Sequence, residues 1–467
     1  MRRTRTDRTN RTNSLSRRDF LKLGGASLAG ATLLGGTLAG CGGPEQQQNG
    51  GVTNIVFSFG PDESGTLTNL VDAFNREYEG EIRVEYRQFS RLTDEYFDEI
   101  SGQLAGESSE VDVIGGDVTW TAEFAGNGWI EDLNSRMYGD YPLSVPGSFL
   151  DAPITSCSYD NRLWGTPWFS DAGLLYYRTD LLEDAGLSEP PVTWDELSEV
   201  ASRVQRDANT RYGLVFQGAD YEGGVVNGCE FIWNAGGRIL TGTTNLQSPG
   251  APLSLTPNVI EIDNPNSVRG LATERNLVAE GVAPEEVATY REEDSQAAFL
   301  SGDSVFLRGW PYMYALAGDG GDSSIETAQI GVTALPVSES GGQSYSCLGG
   351  WNMLLNSRSQ NKDAAWEFIK FATAPEQQRT RALEGSFLPT LREVYDDSEV
   401  QESVPVIELG RDIIENNLRT RPVTPYYSEV SAVLARTFNR NVSGDIEPEE
   451  AAASLQDELE RIVSQRG

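Results

Sequence analysis

The chain has 467 residues, too many for one simple hydrophobic core, and it contains no histidine. The lack of histidine excludes Ser-His-Asp and Cys-His catalysis and metal sites ligated by histidine. The formal net charge is −34, and no basic face is evident, so a nucleic-acid partner is not expected.

The N-terminal segment is organised as an export signal. Basic residues precede a twin-arginine sequence at 16–22, a glycine-rich apolar run continues to Ala39, and small residues lead to Cys41. We predict a twin-arginine lipoprotein signal peptide over 1–40, acylation of Cys41, and a flexible polar tether over 41–51. The predicted location is the extracellular face of the cell membrane. Two alternatives remain: an N-terminal membrane helix, which the glycines disfavour, and export without lipidation.

The charge of the mature chain is more extreme than that of the precursor. Residues 1–40 hold eight basic and two acidic side chains, so removing them takes the net charge from −34 to −40. Lysine occurs only at positions 22, 362 and 370. At molar salt the Debye length is ~3 Å, which screens the self-repulsion of such a surface. The composition therefore favours a halophile, and an acidic mesophilic protein is the alternative.

With Cys41 assigned to the lipid, an odd number of cysteines remains. The spacing of Cys157, Cys229 and Cys347 indicates neither a disulfide framework nor a metal site. We expect buried free thiols, and one disulfide is the alternative outside the cell.

The predicted globular part begins with alternating strands and helices. Apolar and alternating patterns predict strands at 52–59, 82–86 and 111–114, and helical spacing predicts helices at 66–77 and 92–104. This βαβαβ order predicts a mostly parallel sheet with helices on both faces. Further along the chain, the same patterns predict strands at 214–216, 304–307 and 330–334, and helices at 224–234, 295–300, 361–373, 427–438 and 448–465.

Ligands of open α/β sheets bind beyond the carboxyl ends of the strands. Aromatic and acidic residues are concentrated in the loops at these ends, which are 61–65, 115–120, 217–223 and 308–312. The sequence therefore predicts a two-lobed α/β protein with a cleft between the lobes.

Several stretches give the chain a family resemblance. They are Asp112–Trp120, Trp164–Arg178, Gln217–Gly223, Arg308–Tyr312, Leu348–Trp351, Ala382–Thr390 and Arg421–Ser428. Together, in order and over nearly the whole mature chain, they resemble the trehalose/maltose-binding members of the family 1 extracellular solute-binding proteins.

The resemblance implies a type II periplasmic-binding-protein fold with three hinge crossovers, near 165–172, 346–351 and 385–390. Lobe one then comprises 52–165 plus 351–387, and lobe two comprises 172–346 plus 390–467, with hinge closure around the ligand. The implied partners are a sugar and the membrane-embedded permease subunits of an ABC importer. A monomer without cofactor or metal is expected.

A sugar site needs acids or arginine for pairs of hydroxyls and flat rings for the apolar face of the pyranose. Trp310 and Tyr312 share one loop, and Trp351 follows Gly350 at a predicted crossover. The resemblance completes the set of candidate ligand-binding residues, which is Glu63, Asp117, Phe169, Asp171, Tyr221, Trp310, Tyr312, Gly350, Trp351 and Arg421. The alternative is that these are ordinary core aromatics and loop acids.

The function predicted from these residues is capture of a glucose-containing disaccharide, such as trehalose or maltose, without catalysis. A secreted glycoside hydrolase is one alternative, since two carboxylates beside an aromatic cleft suffice for that reaction. A binding protein for another polyol or for glycerol phosphate is the other, and the scarcity of bases in the cleft loops disfavours the phosphate.

Overall fold

The computed structural model describes residues 51–62, 64–139, 147–208, 210–241, 259–317 and 323–466. The predicted signal peptide, Cys41 and all of the tether but its last residue lie outside the described residues, as does Glu63. Within the described ranges, no helix is both long and apolar enough to cross a membrane.

The strands form two main sheets and two short two-stranded pairs. In chain order they are β1 (Thr53–Phe59), β2 (Ile82–Gln88), β3 (Val113–Asp117), β4 (Ser158–Tyr159), β5 (Arg162–Leu163), β6 (Gly165–Ala172), β7 (Leu174–Arg178), β8 (Tyr212–Val215), β9 (Leu240–Thr241), β10 (Val259–Ile260), β11 (Ser304–Gly309), β12 (Ile330–Thr333), β13 (Ser346–Leu355) and β14 (Leu418–Arg419).

The helices cover the sheets and make up most of the C-terminal part. They are α1 (Thr66–Glu77), α2 (Thr93–Ala105), α3 (Trp120–Gly126), α4 (Asn134–Gly139), α5 (Asp151–Ser156), α6 (Thr179–Asp184), α7 (Trp194–Ala208), α8 (Glu222–Asn234), α9 (Pro265–Ala279), α10 (Glu292–Leu300), α11 (Met313–Leu316), α12 (Lys362–Ala372), α13 (Pro375–Gly385), α14 (Ser398–Ser403), α15 (Pro405–Asn416), α16 (Tyr427–Val442) and α17 (Pro448–Arg466).

Five strands of the first sheet have the order β14-β13-β3-β1-β2. The sixth strand, β6, pairs with β13 along the edge opposite to β3. Strand β1 is parallel to both β2 and β3, as predicted. Strand β13 is antiparallel to β3 and β6, so the sheet is mixed rather than mostly parallel. The difference arises because β6 and β13, which add the antiparallel pairings, were not predicted as strands.

The second sheet has the order β12-β7-β11-β8, in which β7 runs antiparallel to both of its neighbours. Only Gly173 separates β6 in the first sheet from β7 in the second. Helices α8 and α9 pack against α16 and α17 through a buried apolar cluster that includes Val225, Leu271, Leu434 and Leu455. The C-terminal helices therefore cover the half of the molecule built on the second sheet.

Two glycines explain why β3 lies further along the chain than predicted. The predicted strand ended at Ile114, but Gly115 and Gly116 continue it to Asp117. A Cβ atom at Gly115 would lie 2.5 Å from the Phe59 ring, and one at Gly116 would lie 2.4 Å from Leu354. Their lack of side chains lets the neighbouring layers pack on the strand and carries Asp117 to its end.

Cys157, Cys229 and Cys347 are buried free thiols, which confirms the prediction. Burial raises the pKa of the Cys347 thiol to about 12, so it stays protonated and unreactive at neutral pH.

Helix α9 carries a buried carboxyl group that makes stability depend on pH. Glu274 is 1% exposed, and its Oε2 accepts a hydrogen bond from Asn441 at 3.2 Å. Burial raises the pKa of Glu274 to about 8, whereas the pKa of an unfolded glutamate side chain is about 4.3. Between about pH 4 and pH 8, the folded state therefore retains a proton on Glu274 that the unfolded state loses. Because of this difference, the free energy of unfolding falls as pH rises through that range.

Glu274→Gln removes this proton linkage. We expect the variant to gain roughly 2–4 kcal/mol of unfolding free energy relative to the native chain between pH 5 and pH 8.5. Urea unfolding at both pH values measures the difference, with Glu199→Gln on the exposed face of α7 as the control. A difference between Glu274→Gln and the native chain that stays constant with pH would contradict the assignment.

Candidate functional site

A cavity of about 450 Å³ lies between the two sheets, within the usual size range of small-molecule sites. Its wall comes from the carboxyl ends of β1 and β3, from β6 and β13, and from the first turns of α8 and α10. The predicted placement of the site at strand ends matches this arrangement.

The structure brings most of the predicted site residues together. Those that line the cavity are Asp117, Phe169, Asp171, Trp310, Tyr312, Gly350, Trp351 and Arg421. Tyr221 does not line it: the side chain is buried, and its hydroxyl donates to Glu292 Oε2 at 2.7 Å. Glu63 lies outside the described residues.

Strand register aligns three of these residues. Strand β13 lies between β3 and β6, so that Trp351 is opposite Asp117 on one side and Phe169 on the other. Gly350 has φ 109°, and a Cβ atom there would lie 2.4 Å from the Phe169 carbonyl oxygen. Glycine is therefore required at this close approach of two backbones.

Three aromatic side chains pack against the Trp351 ring. Its centroid lies 4.9 Å from Phe59 and 5.6 Å from Trp120 in edge-to-face contacts, and 6.2 Å from Tyr96 in a near-parallel contact. Such packing limits rotation of the indole, so its free surface is held ready for a ligand.

Trp310 rests on a buried ion pair. The Arg308 guanidinium lies 4.0 Å from the Trp310 ring centroid, and Glu230 accepts two hydrogen bonds from Arg308, each at 2.8 Å. The backbone carbonyl of Trp310 accepts a hydrogen bond from Tyr176 at 2.9 Å. The ring therefore has a rigid support on the side of Arg308.

Arg421 connects the half of the molecule built on the first sheet, through Asp117, to the half built on the second sheet, through Glu222. Its Nη2 donates to Asp117 Oδ1 at 3.2 Å and to the Leu348 carbonyl at 3.3 Å, and its Nη1 donates to Glu222 Oε1. Burial disfavours its charge, but Asp117 and Glu222 outweigh this and raise the pKa of Arg421 well above its usual range. Arg421 is therefore a permanent cation that holds two acids of the cavity wall.

Asp171 presents an unused acceptor. It is 5% exposed, and its Oδ1 has no hydrogen-bond partner among the described residues. Burial raises the pKa of Asp171 well above its usual range, against the opposing charges of Arg381 and Arg308. A buried acceptor without a donor is unfavourable, and a ligand hydroxyl entering the cavity would supply the donor.

A third buried cation, Arg381, packs against the aromatic side chains and was not predicted. The Arg381 guanidinium is 4.2 Å from the Trp168 ring centroid, 4.8 Å from Phe169 and 4.3 Å from Phe387. Burial lowers the pKa of Arg381 to about 10, with Asp62 and Asp171 acting in the other direction. Because it remains charged at neutral pH, Arg381 offsets part of the negative charge of the wall.

Several carboxylates that line the cavity are not in the set of candidate ligand-binding residues given by the sequence. They are Asp62, Glu222, Glu292, Glu293 and Glu384. Asp62 caps α1, because its Oδ2 accepts from the Leu67 amide at 2.7 Å and from the Thr66 hydroxyl at 3.0 Å. An acid shortly before a predicted helix start is the signal that identifies it.

The two halves also meet at the cavity mouth. Arg91 and Glu293 form an ion pair at 3.4 Å, with each side chain 42% exposed. The Glu222 amide donates to Asp94 Oδ1 at 3.4 Å. Burial, together with the charge of Glu222, raises the pKa of Asp94 to about 6. The acids at this contact therefore repel one another in neutral solution.

Metal ligation is not indicated by the part of the chain that the structure describes. Within it, no three cysteine or carboxylate side chains come together in a group able to hold a metal ion. Several acids of the cavity wall, such as Asp62, Asp117 and Glu222, are instead engaged by arginine, hydroxyl or amide donors.

Comparison with known proteins agrees with this architecture. Residues 60–379 match the family described as bacterial extracellular solute-binding protein. A probable ABC transporter-binding protein from Deinococcus radiodurans is 33% identical over 371 residues, which cover 77% of this chain and 82% of that protein. A maltotriose-binding protein from Pyrococcus abyssi is 24% identical over 298 residues, which cover 63% of this chain and 58% of that protein.

The fold of the chain is also similar to that of solved structures. The structure of maltose-bound T. maritima MalE3 matches with a TM-score of 0.78 and 33% identity, and the match covers 88% of this chain and 100% of that one. The two-lobed periplasmic-binding-protein fold predicted from the sequence is confirmed.

Proposed function

Because the chain belongs to the bacterial extracellular solute-binding protein family, we propose that it is the substrate-binding component of an ABC importer and that it captures a sugar. The observation that carries the proposal is the composition of the cavity wall. The rings of Trp310, Tyr312 and Trp351 offer flat apolar surfaces, and Asp117 and Asp171 lie beside them as acceptors. This combination suits a pyranose, which has apolar C–H faces and a rim of hydroxyls.

Among sugars, we propose a disaccharide that contains glucose, with maltose and trehalose as the first compounds to test. The maltose bound by the T. maritima protein at 33% identity supports this choice. The proposed ligand-binding residues are Asp117, Phe169, Asp171, Trp310, Tyr312, Gly350, Trp351 and Arg421, all of which line the cavity.

The lobe boundaries predicted from the resemblance are part of the same proposal. In support, β6 ends in the first sheet at Ala172, and β7 begins in the second sheet at Leu174. Closure of the lobes about the crossovers would bring Trp310 and Trp351 onto the same ligand.

The twin-arginine signal and Cys41 support a lipid anchor that keeps the protein at the outer face of the cell membrane, near the permease subunits. The acidic, lysine-poor composition supports a halophilic source. We propose that the protein acts there as a monomer.

The family and the similar structures are substrate-binding proteins rather than enzymes, so the bound sugar should be recovered unchanged. We therefore expect maltose or trehalose to shift the tryptophan fluorescence of the purified protein at molar salt, in a saturable way. Chromatography of the mixture should show no glucose.

Controls in this titration separate the alternatives. Trp351→Ala should weaken binding roughly 30-fold or more, because a central aromatic contact of this kind contributes about 2 kcal/mol or more. Trp129→Phe removes a tryptophan that packs on Phe124 outside the cavity, and it should leave the affinity unchanged. A response to sorbitol or glycerol 3-phosphate with none to either disaccharide would overturn the choice of ligand, and release of glucose would overturn the function.

A further inference from the structure

Glu292 lies in the cavity wall, although it was not among the residues selected from the sequence. It is the first residue of α10, where the helix dipole favours a carboxylate. The predicted helix began three residues later, at Ser295, which left Glu292 in an unassigned segment. Its side chain is partly exposed, and it lines the cavity.

The carboxylate of Glu292 is held in place but not saturated. Its Oε2 accepts a 2.7 Å hydrogen bond from the buried hydroxyl of Tyr221, whose ring packs against the Arg291 guanidinium at 4.6 Å. Its Oε1 is 3.5 Å from Nε1 of Trp310, a long and weak contact. A carboxylate has about four acceptor positions, so Glu292 keeps acceptor capacity for a ligand.

Helix α10 presents two polar side chains to the aromatic wall. Gln296 is one turn after Glu292 on the same helix face, and its Nε2 donates to the Tyr312 hydroxyl at 3.1 Å. Glu292 in turn lies at the polar edge of Trp310. A sugar that covers these rings projects its hydroxyls toward this helix face.

The nearby cation Arg308 interacts electrostatically with Glu292, but its guanidinium is paired with Glu230. Of the arginines that line the cavity, Arg421 is engaged by Asp117 and Glu222, and Arg91 pairs with Glu293. Within the described ranges Glu292 forms no ion pair. Its negative charge therefore acts directly on whatever enters this part of the cavity.

On the basis of the proposed function, we infer that Glu292 is a ligand-binding and specificity-determining residue. Its carboxylate accepts hydrogen bonds from hydroxyls of a sugar that covers Trp310, and its charge rejects the same sugar when it carries phosphate. A hydroxyl gains a charge-assisted hydrogen bond there, whereas a phosphate meets like-charge repulsion.

The test compares trehalose with trehalose 6-phosphate, and maltose with maltose 1-phosphate, in calorimetric titrations of the full chain. Glu292→Gln keeps the shape of the side chain but removes its charge. We expect it to weaken binding of the neutral disaccharide about 10-fold and to lower the ratio of neutral to phosphorylated affinity by about 10-fold or more. Glu285→Gln, an exposed neighbour before α10, is the charge-matched control and should change neither quantity.

Tyr221→Phe separates charge from positioning. The substitution removes the 2.7 Å hydrogen bond but leaves the carboxylate of Glu292. The affinity for the neutral disaccharide should therefore fall a few-fold, while the ratio of neutral to phosphorylated affinity stays as in the native chain. If Glu292→Gln weakens both ligands equally or changes neither, the inference is wrong and sugar binding by the native chain still stands. If the folded native chain binds neither disaccharide, the proposed ligand fails, and this inference fails with it.

Discussion

Arg421→Met is expected to abolish sugar capture and to lower the free energy of unfolding by roughly 3–5 kcal/mol. Arg421 is 2% exposed and donates to Asp117, Glu222 and the Leu348 carbonyl. Without the guanidinium, Asp117 and Glu222 are left as enclosed carboxylates with no counter-charge, so protonation or hydration must replace it. Urea unfolding and ligand titration measure the two effects separately.

Two further variants test the cause. Arg421→Met combined with Glu222→Gln removes one of the unpaired charges and should recover part of the lost stability. Arg436→Met breaks an exposed pair with Glu458 and should change stability by about 1 kcal/mol or less. Normal affinity and stability in Arg421→Met would show that the buried network is not needed.

Glu230→Leu is expected to destabilise the protein by a similar amount, roughly 3–5 kcal/mol. Glu230 and Arg308 are 2% and 3% exposed, and they are joined by two 2.8 Å hydrogen bonds. The carboxylate also accepts from the Cys347 amide at 2.9 Å, so the substitution leaves both a cation and a backbone donor unpaired. Because Arg308 supports Trp310, the affinity for sugar should fall as well.

The double variant Glu230→Leu with Arg308→Met distinguishes an unpaired charge from a packing defect. It places two apolar side chains where the ion pair was, and it should be more stable than Glu230→Leu alone. A double variant less stable than the single one would show that the shape of the site matters more than its charge. Thermal unfolding of the native chain and these two variants gives the comparison.

Local patterns were sufficient for elements with a clear apolar face. Helix α1 begins at Thr66 and ends at Glu77 as predicted, and α17 ends within one residue of its predicted end. Helix α7 was not predicted, although Trp194, Leu197, Ala201 and Val204 have helical spacing. Strand β6 contains glycine, proline and aspartate and is buried at every position, so alternation between faces gave no signal.

Loop patterns and the family resemblance were sufficient to select residues that line the cavity, but not to predict contacts between distant parts of the chain. Tyr221 and Glu222 are adjacent, yet only Glu222 lines the cavity. Tyr221 has extended backbone at φ −168° and reaches Glu292 instead, while Glu222 is the first residue of α8. The contact of Arg421 with Asp117 joins residues 304 positions apart, which no local pattern encodes.

The two charged contacts between the halves differ in how far dissolved ions reach them. The Arg91–Glu293 pair at the cavity mouth has both side chains 42% exposed, whereas Arg421 is enclosed between Asp117 and Glu222. At molar salt the Debye length falls to ~3 Å, which weakens the outer pair but not the inner one. We therefore expect ionic strength to change the strength of the Arg91–Glu293 pair and to leave the contacts of Arg421 largely unaltered.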